Sequence, residues 1–325
     1  MKQLAIVVPR GENNLSSIVG TYKIFTRANT LFAEQGRPPV FAISLVGEDD
    51  QVGFYHDLFT VKLHTTYDRM AHTDLIIIPS LNHHYEQALA ENRAVIPWLI
   101  QQYKSGASLA SICTGAFLLA ETGLLTGKSC STQWSAAAEL RTRYPKVDLR
   151  TDKLITDEHG IYTNGGAFSF LNFMIYLVEK YYARETAIEC AKIFQIDMDR
   201  HTQSTFSIFV GHKQHDDAAI QQAQTYLEAN YREKISIESL AQSLHLGRRN
   251  FDRRFIKATG ITPLDYLQRV KIEAAKKALE TSRKHIGEVM YEVGYHDMKA
   301  FRHVFQRITG VSPLAYKAKY NREGV

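Results

Sequence analysis

The sequence predicts two domains of different class: an α/β domain with a largely parallel sheet flanked by helices, then an all-α domain with two helix-turn-helix units joined by a long helix. Three observations predict it. Through the first half, short apolar runs that read as strands alternate with patterns of helical period. In the second half one passage is written twice: F-D-R-R-F-I-K-A-T-G-I-T-P-L-D-Y (251–266) returns as F-R-H-V-F-Q-R-I-T-G-V-S-P-L-A-Y (301–316), at a constant offset of 50. Between the copies, Pro263 to Glu280 contains no Gly and no further Pro, so it reads as one helix.

The strand-like runs are L-A-I-V-V (4–8), V-F-A-I-S-L-V (40–46), L-I-I-I-P (75–79) and S-L-A-S-I (108–112). From Leu15, the residues Ile18, Val19, Tyr22, Phe25 and Phe32 keep a helical period until Gly36, and Val95 to Tyr103 is a second amphipathic stretch. Such an alternation places ligands beyond the carboxyl ends of the strands. There lies A-S-I-C-T-G-A-F-L-L-A (110–120), a strand turning sharply into an Ala/Leu helix with Cys113 at the corner. This is a nucleophile-elbow layout, and a helix N-terminus beside a thiol lowers its pKa. The residues leave a second reading open, that of a buried and inert cysteine.

Further along, T-N-G-G-A-F-S-F-L-N (163–172) leads into F-M-I-Y-L-V-E-K-Y-Y (173–182), whose apolar stripe reads as core. Gly165-Gly166 admits either tight packing or close approach of a ligand, and packing is the favoured reading. The first domain is placed at 1–185 and a connecting segment at 186–217. In that segment His212, His215, Asp216 and Asp217 read as a solvated linker rather than a metal site.

The second domain is placed at 218–320. Its first helix-turn-helix spans about 237–258, opening on I-E-S-L-A-Q-S-L-H-L. The second helix of that unit carries Arg248, Arg249, Asn250, Arg253, Arg254 and Lys257 around an inward stripe of Phe251, Phe255 and Ala258. The other unit, about 285–308, opens on I-G-E-V-M-Y-E-V-G-Y and presents Lys299, Arg302, His303, Gln306 and Arg307 around Phe301 and Phe305. Guanidinium groups fork onto guanine edges or phosphates and Asn pairs with adenine, so both helices have the composition of DNA readers. Gly260 and Gly310 sit where a left-handed stop is needed, and Thr262-Pro263 and Ser312-Pro313 start the next helix. The long helix, about 18 residues, spans roughly 25 Å. With its flanking turns it brings the two readers toward the ~34 Å between successive major-groove faces. Met290 stands where the first copy has Ala241, a difference expected to loosen or re-angle the second reader.

Composition follows the same division. From Asp216 onward there are 19 Lys/Arg against 13 Asp/Glu, whereas the first 215 residues hold 20 against 21. The basic excess therefore lies wholly in the second domain, as expected for an electrostatic footprint on nucleic acid. Three cysteines exclude a disulfide framework, and no apolar run is long enough for a membrane span or a signal-peptide core, so the expected location is cytoplasmic. No Walker-type loop, HExxH or paired-Cys motif is present, and neither a cofactor nor a metal is expected.

The duplicated stops G-I-T-P-L-D-Y (260–266) and G-V-S-P-L-A-Y (310–316) resemble the AraC/XylS regulators, over roughly residues 221–320. The elbow segment resembles the PfpI-like domain of the class I glutamine-amidotransferase-like superfamily, with its flavodoxin-like sheet. C-T-G-A-F-L-L-A-E-T-G-L-L-T-G-K (113–128) followed by S-T-Q-W (131–134) is similar to GlxA-type regulators, which join the two domains. Against the enzymatic relatives the chain departs at three places. Gln133 stands where the resemblance leads one to expect a basic His, and glutamine takes no proton from a thiol. The early loop has Asn13, Asn14, Ser16 and Ser17 where a carboxylate is expected, with Glu12 nearby but not in clear register. P-S-L-N (79–82) replaces the Gly-Gly of the oxyanion side, and His64, His72, His83 and His84 read as solvent-facing.

These readings combine into an expected function. A catalytically degenerate PfpI-like domain is expected to bind a small metabolite, an amine or amino-acid derivative, near Cys113, Thr114, Gln133 and Ser17. The AraC-type domain binds double-stranded operator DNA. The resemblance implies a homodimer, and contact with RNA polymerase if the protein activates transcription. The alternative is an active cysteine-dependent amidase, hydratase or glyoxalase-like enzyme with an appended DNA-binding domain.

Overall fold

The computed structural model describes residues 1–321 except 12, 83, 200, 201 and 214, and its contacts divide the chain into compact units at 1–203 and 204–325. In the first unit β1 (Lys2–Val7), β2 (Phe41–Gly47), the hairpin β3 (Gln51–Phe54) and β4 (Phe59–Lys62), β5 (Thr65–Thr66), β6 (Leu75–Ile78) and β7 (Ser108–Ile112) come first. The short pair β8 (Ser129–Cys130) and β9 (Asp148–Leu149) follows, then β10 (Ile155–Glu158) and β11 (Ile161–Asn164). Among the described residues the main sheet has seven strands in the order β10-β11-β7-β6-β1-β2-β5. Every neighbouring pair is parallel except the β10/β11 hairpin at one edge.

The central strands are apolar on both faces because both are covered, as a parallel sheet requires. On one face α1 (Leu15–Glu34) packs with Leu4, Ile6, Ile77 and Ile112. On the other, α2 (Tyr85–Glu91), α3 (Val95–Lys104), α4 (Ala116–Glu121) and α5 (Ala137–Arg143) cover Ala5, Val7, Ile76 and Leu109. The predicted 173–182 helix is α6 (Phe170–Tyr181), and α7 (Arg184–Phe194) lies beside it. Ala187, Cys190 and Ala191 of α7 belong to the same core as α1 and α6. The first unit therefore extends past the boundary at 185 read from the sequence. The polar exposed side of α7 carries a weak apolar pattern, which hid a core helix inside an apparent connector.

The second unit contains α8 (Ala218–Ala229), α9 (Ile237–Ser243), α10 (Arg248–Thr259), α11 (Pro263–Thr281), α12 (Ile286–Glu292), α13 (Met298–Thr309) and α14 (Pro313–Tyr320). The pairs α9/α10 and α12/α13 are the two helix-turn-helix units, and α11 is the long joining helix. Phe251 and Phe255 are fully buried in one core, Phe301 and Phe305 in the other. Gly260 (φ 77°) and Gly310 (φ 80°) end α10 and α13 in the left-handed conformation. Thr262 and Ser312 accept hydrogen bonds from the main chain of Asp265 and Ala315, and Pro263 and Pro313 occupy the first turns. Met290 is buried like Ala241, its longer side chain filling the second core.

Candidate nucleic-acid interface and elbow site

β7 runs into a 3-10 turn, Cys113–Gly115, and then α4. Cys113 has φ 54°, a left-handed value that L residues rarely adopt, so the corner is a strained elbow. Gly115 is dictated by crowding. A Cβ there would lie 2.5 Å from the Pro79 carbonyl oxygen and 2.8 Å from that of Ile78. The 79–82 segment is thus pressed against the elbow by main-chain contact.

The thiol is buried, and its Sγ lies 3.8 Å from Gln133 Oε1. The sequence led us to expect a helix N-terminus to lower this thiol's pKa; instead burial pushes it up. Hydrogen bonds from Ser80, Thr114 and Gln133 oppose that shift without overcoming it. A helix terminus acts only on the charge that desolvation permits, and α4 is six residues long. The largest influences on the thiol are its burial and the hydrogen bonds of Ser80, Thr114 and Gln133. His64 Nδ1 accepts the Leu45 N–H at 2.9 Å, and His72 lies 3.8 Å from Asp74. His84 precedes α2 at its N-cap, while His83 and Glu12 lie outside the described residues.

The other expected ligand residues form a chain of hydroxyls. Thr114 donates to the Leu81 carbonyl at 2.7 Å and sits 2.9 Å from Ser80 Oγ. Ser17 donates to Asn14 O at 2.7 Å and accepts the Ser80 N–H at 3.3 Å. This last bond occupies a main-chain donor on the side where an oxyanion would need one. Cys113 and Gln133 are brought together; Thr114 and Ser17 build the wall beside them.

Two residues unsuspected from the sequence are tied to the elbow. Gln203 donates from Nε2 to Thr132 O at 2.9 Å, and Thr132 in turn donates to the Cys113 carbonyl at 2.8 Å. Asn164, opposite Ile112 in the β11/β7 register, donates to Leu154 O at 3.2 Å. The amide oxygens of Gln203, Asn164 and Asn13 are buried without a partner among the described residues. Gly165 leaves room for Gln203, because a Cβ there would lie 2.2 Å from its Nε2. The packing role favoured for this glycine is what the geometry gives it.

In the second unit the basic residues fall into two groups. Arg249, Lys257, Lys299, Arg302, His303 and Gln306 are exposed and carry no side-chain hydrogen bond or ion pair among the described residues. The others are engaged. Arg248 binds Asp252 at 2.9 Å and Arg253 binds Asn250 at 3.0 Å, both within the exposed face of α10. Arg254 forks onto Asp217 at 2.6 and 2.9 Å. Its counterpart 50 residues on is the buried Val304, so Arg254 stands on the inward flank of its helix. Arg307 binds Asp265 at 2.9 Å and Gln268 at 2.7 Å on α11.

Asp217 also caps α8 by accepting the Ile220 N–H. Two partners therefore hold its carboxyl below the usual range, the Arg254 hydrogen bond foremost. His215 lies 3.0 Å from Gln224 on α8. Asp217 and His215, read as solvated linker, are thus the organised start of the second unit. The linker reading failed because the partners, Arg254 on α10 and Gln224 on α8, are distant enough along the chain that no local pattern pairs them with this segment.

Comparison with known proteins follows this division. A model of the DJ-1/PfpI family matches residues 5–180, more than half of the chain. The chain belongs to the DJ-1/PfpI family. A helix-turn-helix domain model matches residues 240–319, so the DJ-1/PfpI domain is followed by an AraC-type helix-turn-helix domain. The transcriptional regulator GbdR of Pseudomonas aeruginosa is 25% identical over 68% of this chain, the match covering 60% of that protein. The regulator ArgR of the same species is 23% identical over 66% of this chain and 65% of its own length. In both cases the match leaves more than a third of the relative uncovered. Among solved structures, an AraC family transcriptional regulator from Pseudomonas putida has TM-score 0.51 at 16% identity, covering 60% of this chain and all of that one. A THiJ/PfpI family protein from Pseudomonas syringae has TM-score 0.51 at 16% identity over 75% of this chain and 90% of its own. These structural likenesses establish the fold. No helix among the described residues is long and apolar enough to cross a membrane.

Proposed function

We propose that this protein is a sequence-specific, DNA-binding transcriptional regulator whose DJ-1/PfpI domain senses a small metabolite. The observation that carries the reading is the pair of matched helix-turn-helix units, each with exposed basic side chains that have no side-chain partner among the described residues: Arg249 and Lys257 in the first, Lys299 and Arg302 in the second. Arg249, Asn250 and Arg253 of α10, with Lys299, Arg302, His303 and Gln306 of α13, take base edges; Arg248, Lys257 and part of Arg307 take phosphates. Arg254 serves the fold through Asp217 rather than the groove. The curated relatives' names as transcriptional regulators support the same reading.

The metabolite site is the elbow, with Cys113 and Gln133 facing the ligand and Thr114 and Ser17 behind them. Around it the amide nitrogens of Asn13, Asn164 and Gln203 are spent on main-chain carbonyls while their oxygens have no partner among the described residues. A site rich in acceptors favours a ligand rich in donors, which supports an amine or amino-acid derivative. The domain is catalytically degenerate, because a raised thiol pKa and a glutamine at its side supply neither nucleophile nor base. The regulator works in the cytoplasm as a homodimer on paired half-sites, and engages RNA polymerase if it activates. The strained left-handed elbow at Cys113 keeps the enzymatic alternative alive, and its test is turnover abolished by Cys113→Ser.

Genome-wide selection of fragmented host DNA with the full-length protein, at ~0.15 M salt, tests the reading. Sharp peaks with paired half-sites are expected. Diffuse, strongly salt-dependent binding in the presence and absence of an amine and amino-acid panel would overturn it.

A further inference from the structure

A concavity in the DJ-1/PfpI domain lies away from Cys113. It is a cavity of about 500 Å³ between α3 and the turns that follow β2 and β5. That size suits a small organic molecule. Its position is set by the fold: Glu48 follows β2, and Tyr67 and Asp68 follow β5, so these groups sit at carboxyl ends of parallel strands. The opposite wall is α3, where Pro97 and Gln101 stand beside the largely buried Trp98.

The lining has a consistent chemistry. It includes two carboxylates, Glu48 and Asp68, and no Lys or Arg. The rings of Tyr67 and Trp98 stand 5.1 Å apart at 36° and supply aromatic surface beside those carboxylates. Cations are present nearby but committed. Arg10 forks onto Asp49 at 2.7 Å and reaches Glu48 at 3.1 Å, leaving that trio with a net negative charge. Arg69 acts on Asp68 from the neighbouring position, and neither arginine lines the cavity. Burial, and after it the charge of Glu48, holds the Tyr67 phenol in its neutral form, so the aromatic wall stays uncharged. The wall is also fixed in place. Gln102 donates to Met70 O and Ala71 O at 3.3 Å each and accepts the Thr73 N–H at 3.0 Å.

Carboxylates beside desolvated aromatic faces attract a positive charge that carries apolar groups. A hydrated metal ion or an anion gains little from such walls. We propose that this cavity is a binding site for a small organic cation, an alkylated ammonium or guanidinium, held between Asp68 and Glu48 and packed on Trp98. The site is separate from the elbow and does not depend on the DNA-binding reading.

The chain has two tryptophans, so Trp134→Phe leaves Trp98 as the reporter. Tetraethylammonium chloride is titrated into the full-length Trp134→Phe protein, with sodium chloride as the ionic-strength control. The expected result is a saturable change in Trp98 emission with tetraethylammonium and none with sodium. Asp68→Asn is expected to weaken the apparent Kd about tenfold, and Asp68→Lys to abolish the change. Asp68 is exposed, so both variants fold, and unchanged far-ultraviolet dichroism verifies this. A linear response, an equal response to sodium, or an affinity undiminished in Asp68→Lys overturns the proposal.

Discussion

At Cys113 two physical effects compete, and burial wins. A thiolate in this environment loses more hydration than nearby hydrogen bonds return, so the group stays protonated near neutrality. Alkylation of the native protein by iodoacetamide is accordingly expected to be slow at pH 7 and to accelerate only above the ordinary thiol range. The rate against pH, read by mass spectrometry at Cys113, measures this. Rapid modification at pH 7 would restore the enzymatic alternative. On the reader helices, Arg249→Ala and Arg302→Ala are each expected to cost about 1–3 kcal/mol at particular base pairs. Selection profiles of the variants separate that outcome from the uniform loss a phosphate clamp gives. The exposed readers were legible in the sequence because the Phe251/Phe255 stripe fixes which side of α10 faces outward. The commitments of Arg254 and Arg307 were not, because Asp217 and Asp265 lie 37 and 42 residues away.

The shared Thr and Tyr of the two helix-turn-helix units make matching hydrogen bonds. Thr259 and Thr309 each donate back into their helix at 2.8 Å, to Phe255 O and Phe305 O, and lie 3.0 Å from Ile261 O and Val311 O. Tyr266 and Tyr316 each donate to a glutamate on another helix, Glu228 at 2.6 Å and Glu280 at 2.5 Å. The tyrosines belong to the duplicated passage; their glutamate partners lie outside it and were invisible in the repeat. Asp217 fastens α8 at its start, and Asp217→Ala is expected to cost the second domain about 1 kcal/mol through the lost cap. Denaturant unfolding monitored by dichroism checks this. Asp265 joins α11 to α13. Burial raises its pKa, but Arg269 and Arg307 outweigh it and the carboxyl is held below its usual range. A depressed carboxyl contributes stability that is present above its unfolded pKa and lost as pH falls through its folded value. The stability difference between wild type and Asp265→Asn should therefore shrink as pH is lowered from about 6 to about 3. A difference independent of pH would show that the ion pair adds nothing.

For the whole molecule, the charge asymmetry makes a prediction that needs no knowledge of the operator. The second domain holds the basic excess, so log affinity for duplex DNA should fall linearly with log salt, by about 0.9 for each phosphate contact. Removing one phosphate contact, as in Lys257→Ala, should reduce the slope by about one. Fluorescence anisotropy over a salt series measures both. On the proposed function, a metabolite would control that affinity only through its different affinity for the two states of the protein, and about 1–3 kcal/mol of coupling would be sufficient.

The sequence by itself determined the parallel-sheet domain, the duplicated helix-turn-helix, the left-handed stops and the elbow cysteine. Each of these is written in local period or in residues adjacent along the chain. Only the tertiary structure decided that α7 belongs to the first core, that Arg254 and Arg307 are committed to carboxylates, and that Gln203 reaches beneath the elbow. It also decided the sign of the shift at Cys113 and the carboxylate-and-aromatic cavity beside α3. Desolvation and long-range pairing depend on what surrounds a group in space, and no pattern along one chain encodes which distant side chain will be there.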